Sequence, residues 1–135
     1  MPYPLQFDTL YEYDPKPSGI SIPVSLRLSG EPVDLVAKLD TGASFCIFQR
    51  EYGERLGLTI ENGRLEWVST TRERFLTYGH EVTLEALGLS VDAMVYFTHD
   101  RDFPRNVLGR NGWLNRVRIA IVDHDCQLYV SPYGG

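Results

Sequence analysis

Residues 36–45, Val36-Ala37-Lys38-Leu39-Asp40-Thr41-Gly42-Ala43-Ser44-Phe45, read VAKLDTGASF. A mostly apolar run ends at an acid, a small turn-forming tripeptide follows, and Phe45, Ile47 and Phe48 resume the apolar character. As a bare tripeptide, Asp40-Thr41-Gly42 says little, because chance supplies one in roughly a few per cent of chains this long. A strand-ending turn accounts for it, with Asp capping and Gly supplying a positive φ. The setting carries more information. An acid flanked by strands on both sides is expected to be partly desolvated, and acids held at that cost cluster at functional sites. The acid–base chemistry such a group performs needs a second carboxylate beside the first, yet the chain holds this tripeptide once.

Upstream of it, Ile20 to Leu28 alternates apolar with polar residues, the period of a half-buried strand. Ser29-Gly30-Glu31-Pro32 turns the chain and Val33 to Leu39 returns, so Asp40 ends the second strand of a hairpin. The first eighteen residues, rich in Pro and Tyr, read as an extended arm or edge strand. Downstream, Phe45 to Leu58 reads as a short strand and then a helix stopped by Gly57. Leu65 to Val68 and Phe75 to Leu87 form two strands about the polar turn Ser69-Thr70-Thr71-Arg72-Glu73-Arg74. Val91, Ala93, Val95 and Phe97 alternate in another strand, and a loop runs from Thr98 to Arg105. Asn106-Val107-Leu108-Gly109 leads to a short helix from Gly112 to Val117. Arg118 to Val122 and Gln127 to Val130 are closing strands that turn at Asp123-His124-Asp125. Strands dominate and helices punctuate, so the expected fold is all-β, one barrel-like domain over residues 1–135.

A chain of 135 residues is long enough to bury a core without staples. Its composition, 43% hydrophobic and 23% charged, is that of a globular protein. The net charge of −5 argues against nucleic acid or an anionic membrane as a partner, since no basic stripe is left to neutralise phosphates. No apolar stretch approaches a membrane span. The N-terminus has no basic region and no unbroken apolar core, so it does not read as a signal peptide. The expectation is a cytoplasmic chain in which Cys46 and Cys126 are free thiols.

Two stretches together carry a resemblance. Asp40-Thr41-Gly42-Ala43-Ser44, after Val36-Ala37-Lys38-Leu39, resembles the active-site loop of aspartic proteases. Asn106-Val107-Leu108-Gly109-Arg110-Asn111 resembles the second signature of the retroviral-type (retropepsin-like) branch: two apolar residues, then Gly, Arg and Asn. Order, spacing and length agree over most of residues 20–131, as in the stand-alone, single-domain bacterial type. The resemblance implies a closed, barrel-like acid-protease fold with one or two short helices. Val107, Leu108 and Gly109 would pack beneath the loop. A flap hairpin would occupy Leu65 to Leu87, with its tip at Thr70, Thr71, Arg72, Glu73 and Arg74.

It also implies where the second carboxylate comes from. Retroviral-type enzymes are homodimers in which each chain donates one such loop at a two-fold axis, so the partner of Asp40 would be Asp40 of a second copy. Two carboxylates about 3 Å apart cannot both ionise and share one proton, titrating as a unit. The charged one acts as general base on a water, and the protonated one polarises the scissile carbonyl of a peptide or protein substrate. Thr41 would hydrogen-bond across the two loops, and Gly42 would aim its N–H at a carboxylate. Ala43 replaces a Ser usual in the pepsin-like branch; losing that donor implies a less acidic optimum than a digestive enzyme's. No cofactor or metal is implied.

The chain departs from the pattern in three places. Ser44 stands where retroviral enzymes carry an acid that pairs with the Arg of the second signature, which leaves the partner of Arg110 open. The flap tip has no glycine. The closing segment, Val117 to Val130, is longer than a retroviral tail and resembles the closing hairpin of a pepsin lobe. Elsewhere, Asp123-His124-Asp125-Cys126 sets four possible metal ligands in a row, a spacing that suits a hairpin turn better than a tetrahedral site. His99-Asp100-Arg101-Asp102 reads as a solvated loop, His80 as a hydrogen-bonded strand histidine, and Cys46 as a buried, inert thiol. Trp67 and Trp113 read as core or interface anchors. The same residues also allow another class of function, a catalytically silent module whose groove holds an extended peptide.

Overall fold

The computed structural model describes residues 1–134. The strands are β1 (Thr9–Glu12), β2 (Ser21–Arg27), β3 (Val33–Leu39), β4 (Ile47–Phe48), β5 (Arg64–Ser69), β6 (Arg74–Ala86), β7 (Leu89–Thr98), β8 (Val107–Leu108), β9 (Val117–Val122) and β10 (Gln127–Pro132). The α-helix, α1, covers Arg50–Arg55. β2 and β3 pair antiparallel with Val24 opposite Leu35. Both strands bury every second residue (Ile22, Val24 and Leu26; Val33, Leu35 and Ala37) as their period requires.

The large sheet runs β2-β3-β8-β4-β7-β6-β5, and β2 also pairs with β6. Strand pairing therefore returns to its start through β2, which makes the sheet barrel-like. The second sheet, β1-β10-β9, is antiparallel throughout. One apolar core serves both sheets: Ile22, Leu84, Val95 and Phe97 of the large sheet meet Leu128 and Val130 of the small one, with Trp113 between them in sequence. Each such side chain, fully buried, contributes about 1.5–3 kcal/mol.

The N-terminal arm resolves into two parts. Thr9–Glu12 is an edge strand on β10. The two residues just before it lie against the same sheet, the Asp8 N–H donating to Ser131 Oγ at 2.7 Å and the Phe7 ring 6.1 Å from that of Tyr129. The helix stop at Gly57 is a Schellman motif: Gly57, at φ +91°, donates to Glu54 O, and Leu58 donates to Gly53 O. The closing hairpin turns through Asp123–Asp125, as read from the sequence.

One element differs from expectation. The helix expected from Gly112 to Val117 is a single 3₁₀ turn, Leu114–Arg116. Gly112 has φ +107°, which no right-handed helix accommodates, and Trp113 is driven into the core at 1% exposure. Burial of that indole fixes the backbone before a helix can propagate.

Candidate active site

Asp40 is positioned from beneath. β3 lies parallel to β8, with Lys38 opposite Val107 and Leu39 opposite Leu108. The Lys38 N–H donates to Asn106 O at 2.9 Å and the Asp40 N–H to Leu108 O at 3.0 Å. The chain then turns sharply, Ala43 N–H donating back to Asp40 O at 3.2 Å. Within that turn the Gly42 N–H donates to Asp40 Oδ1 at 2.9 Å, which orients the carboxylate. Gly42 does not adopt a positive φ. Its use is proximity: a Cβ there would stand 3.3 Å from Asp40 Oδ1.

The two signature stretches are brought together. Arg110 N–H donates to Ala43 O at 2.9 Å, and Asn111 gives both its N–H (2.9 Å) and its Nδ2 (2.8 Å) to Ser44 O. Phe45 and Asn111 form a parallel bridge. Val107, Leu108 and Gly109 are buried below the loop. Cys46 is buried beside them, its Sγ directed at Gly109 O; burial pushes the thiol up to about 11, so it stays protonated and inert at neutral pH.

A cleft of about 350 Å³ opens over Asp40, Gly42, Ala43 and Ser44. Its far side is the β5–β6 hairpin, through Trp67, Val68, Ser69, Thr70 and Phe75, and its end walls include Phe103, Arg105 and Val107. The hairpin expected to be a flap thus covers the Asp40 loop. Its glycine-free tip is closed by Thr70, whose N–H donates to Glu73 O at 2.8 Å while its Oγ1 accepts from Arg72 N (3.3 Å) and Glu73 N (3.1 Å). Thr71, Arg72 and Glu73 are exposed beyond the cleft, and Arg74 stacks on Trp67 at 4.8 Å. Trp113 is core, and Trp67 is half-exposed on β5, where it lines the cleft. A larger open groove, about 750 Å³ between the β2–β3 hairpin and the β6–β7 turn, reaches none of these residues.

Asp40 itself is exposed, with Thr41 and Ser44. The expected desolvation does not occur within one chain: the strands that flank Asp40 pass beneath the loop, and the hairpin across the cleft leaves the residue exposed. Arg110, lacking the acid that Ser44 replaces, forms no ion pair among the described residues.

Some of the cleft escapes a linear reading. Asn106, 8% exposed, accepts from Gln49 N at 2.8 Å through Oδ1, and Gln49 Nε2 donates to Phe103 O at 2.7 Å. Phe103 packs on Phe75 at 4.9 Å. The loop from His99 to Arg105 is anchored further by Arg101, bidentate on Glu54 at 2.7 Å, and by Arg50, which joins Glu54 and Glu61. Arg50 holds the Glu61 carboxyl down at about 2. Pro104 marks a turn, but no periodicity says that Phe103 and Arg105 reach Asp40. His80 takes its expected structural place, Nε2 lying 2.8 Å from Ile60 O. Asp123 accepts from the Tyr13 hydroxyl, and no group of three metal-ligating side chains occurs among the described residues.

No protein-family model and no curated protein matches the sequence. Solved structures do match. A retropepsin-like aspartic protease from Rickettsia conorii superposes with a TM-score of 0.61 and 16% identity, over 91% of this chain and 97% of that one. EIAV protease, solved with the inhibitor HBY-793, superposes with a TM-score of 0.55 and 20% identity, over 74% of this chain and 88% of that one. At such identities the likeness is one of fold. This chain has the all-β, retropepsin-like fold.

Proposed function

We propose that this chain is an aspartic endopeptidase whose site is completed by a second copy of itself. The observation that carries the reading is an exposed Asp40, oriented by Gly42 N–H, at the floor of a cleft of mixed polar and apolar lining, faced by a hairpin. One carboxylate cannot supply both the base and the acid of peptide hydrolysis; a two-fold pair of such loops can. In the pair, the charged Asp40 draws a proton from a bridging water. The water oxygen bonds to the scissile carbon while the protonated Asp40 gives its proton to the carbonyl oxygen. The proton taken from water then passes to the amine as the C–N bond breaks, and a diol hydroxyl returns a proton to the dyad. The small sheet offers a surface for assembly: among the described residues β1 and β9 each pair only with β10, leaving two open edges, and Leu10, Ile121 and Val122 are exposed near them.

Peptide-library cleavage by the wild type and by Asp40→Asn tests the chemistry. Loss of about a hundredfold to ten-thousandfold in rate is expected on substitution, the scale of acid–base catalysis. Sedimentation equilibrium across a wide concentration range tests the assembly. A chain that stays monomeric when concentrated, with and without a transition-state mimic, would leave Asp40 without its partner. A second reading, a peptide-binding module without hydrolysis, is favoured by the tied, glycine-free flap tip. It is distinguished by peptide binding that persists where the wild type cuts nothing.

A further inference from the structure

We infer that Arg105 selects substrates with an acidic side chain close to the apolar residue seated over Asp40; this rests on the cleft holding an extended peptide. Asp40 and Arg105 are the two charged residues lining the cleft, whose other walls are apolar or neutral. Arg27, Arg50 and Arg101 each pair with a carboxylate, whereas Arg105 has no ion pair or side-chain hydrogen bond among the described residues. Its guanidinium lies 5.7 Å from the centre of the Phe103 ring.

The backbone on both sides of Arg105 is held. Phe103 O accepts from Gln49 Nε2 at 2.7 Å, and Asn106 O accepts from Lys38 N at 2.9 Å. The Asn106 side chain bonds Gln49 N–H at 2.8 Å as well. A guanidinium carried on an anchored segment beside a cleft with no other cation among the described residues is a preorganised fork for a carboxylate. The chain's net charge of −5 works against acidic peptides in general, so a local cation is needed to hold one. An extended peptide sends alternate side chains to opposite sides, so the preference should fall on particular positions and not on overall charge.

The test separates recognition from chemistry. Fluorescein-labelled octapeptides with Phe-Leu at the centre and Glu, Gln or Lys at each flanking position in turn are bound to the Asp40→Asn chain and read by anisotropy. At one or two positions the Glu peptide should bind about threefold to tenfold more tightly than the Gln peptide, the range for a partly exposed, bidentate pair. Arg105→Gln should erase that ratio, Arg105→Lys should keep part of it, and Arg105→Glu should turn the preference toward Lys. Equal binding of Glu and Gln peptides at every position, or a Glu preference that survives in Arg105→Gln, overturns the inference. Cleavage of the same peptides by the wild type is scored separately. A chain that binds Glu peptides through Arg105 and cuts none upholds the selectivity and removes the hydrolase. A chain that cuts Glu and Gln peptides alike keeps the hydrolase and removes the selectivity.

Discussion

Gly109 lies so close beneath Ala43 that a Cβ at position 109 would come within 2.8 Å of the Ala43 carbonyl oxygen, and it would also run into the Phe45 carbonyl. Both obstacles are backbone of the Asp40 loop, and Ala43 is already tied down by Arg110 N–H at 2.9 Å. The second signature is therefore a floor shaped to the loop above it.

Gly109→Ala should force that floor and loop apart. Overpacking against backbone costs about 1–3 kcal/mol, read by urea unfolding. Cleavage should fall further than stability does, because the Asp40 turn is what moves. Wild-type stability in this variant would mean that the loop does not depend on the close approach.

The tip of the β5–β6 hairpin stands on one side chain, Thr70. Thr70→Ala removes the acceptor for the Arg72 and Glu73 amides, and those two amides should exchange with solvent about threefold to tenfold faster, in keeping with a net hydrogen bond of about 1 kcal/mol. Thr70→Ser should restore protection. Unchanged exchange would show that the Thr70 N–H bond to Glu73 O closes the turn unaided.

Stability in acid should report the Arg50–Glu61 pair. The folded chain holds the Glu61 carboxyl down at about 2 from an ordinary 4.5, chiefly through its hydrogen bonds from Arg50. A depressed carboxyl stabilises the fold fully above its unfolded value, and that contribution is lost as pH falls through the folded one. Glu61→Gln should therefore lower the melting temperature at neutral pH, and the gap from wild type should close between about pH 4.5 and 2. A gap that stays constant over this window would assign the loss to packing. Exposure of Glu61 to solvent keeps the effect modest.

The two cysteines should separate by reactivity. Cys46 is fully buried with its thiol pushed up to about 11, whereas Cys126 is partly exposed at the closing hairpin. An aromatic disulfide reagent at neutral pH should titrate one thiol in the folded chain and both in denaturant. Two fast thiols in the native state would contradict the packing of Cys46 against Gly109.

Much of the strand order was legible before any coordinates. β2 and β3 follow from strict alternation, and the hairpin about residues 69–74 from a polar run between apolar ones. Gly57 ended its helix as glycine at that spacing should. The failures have a common origin. Gly112 to Val117 looks helical locally, but Trp113 is claimed by the core. Trp67, read as a core or interface anchor, is not core but half-exposed at the cleft, because β5 is an outer strand of its sheet. Asp40 sits among apolar neighbours in sequence yet is exposed, because those neighbours all pass on one side of it.

The linear pattern settles what depends on near neighbours, the period of each strand and the turns, whereas the seating of the Asp40 loop on Val107-Leu108-Gly109 was an expectation drawn from the resemblance alone. The pattern reaches that far because side-chain alternation and backbone conformation are local properties. Which residues face Asp40 across the cleft depended on folding over long separations. Phe75 meets Phe103, and Gln49 fastens the Phe103 backbone and the Asn106 side chain on either side of Arg105, because the sheet curls back on itself and brings β6, β8 and the loop between β7 and β8 to one place. No local rule records a contact of that kind, since the free energy that selects it belongs to the packed core as a whole.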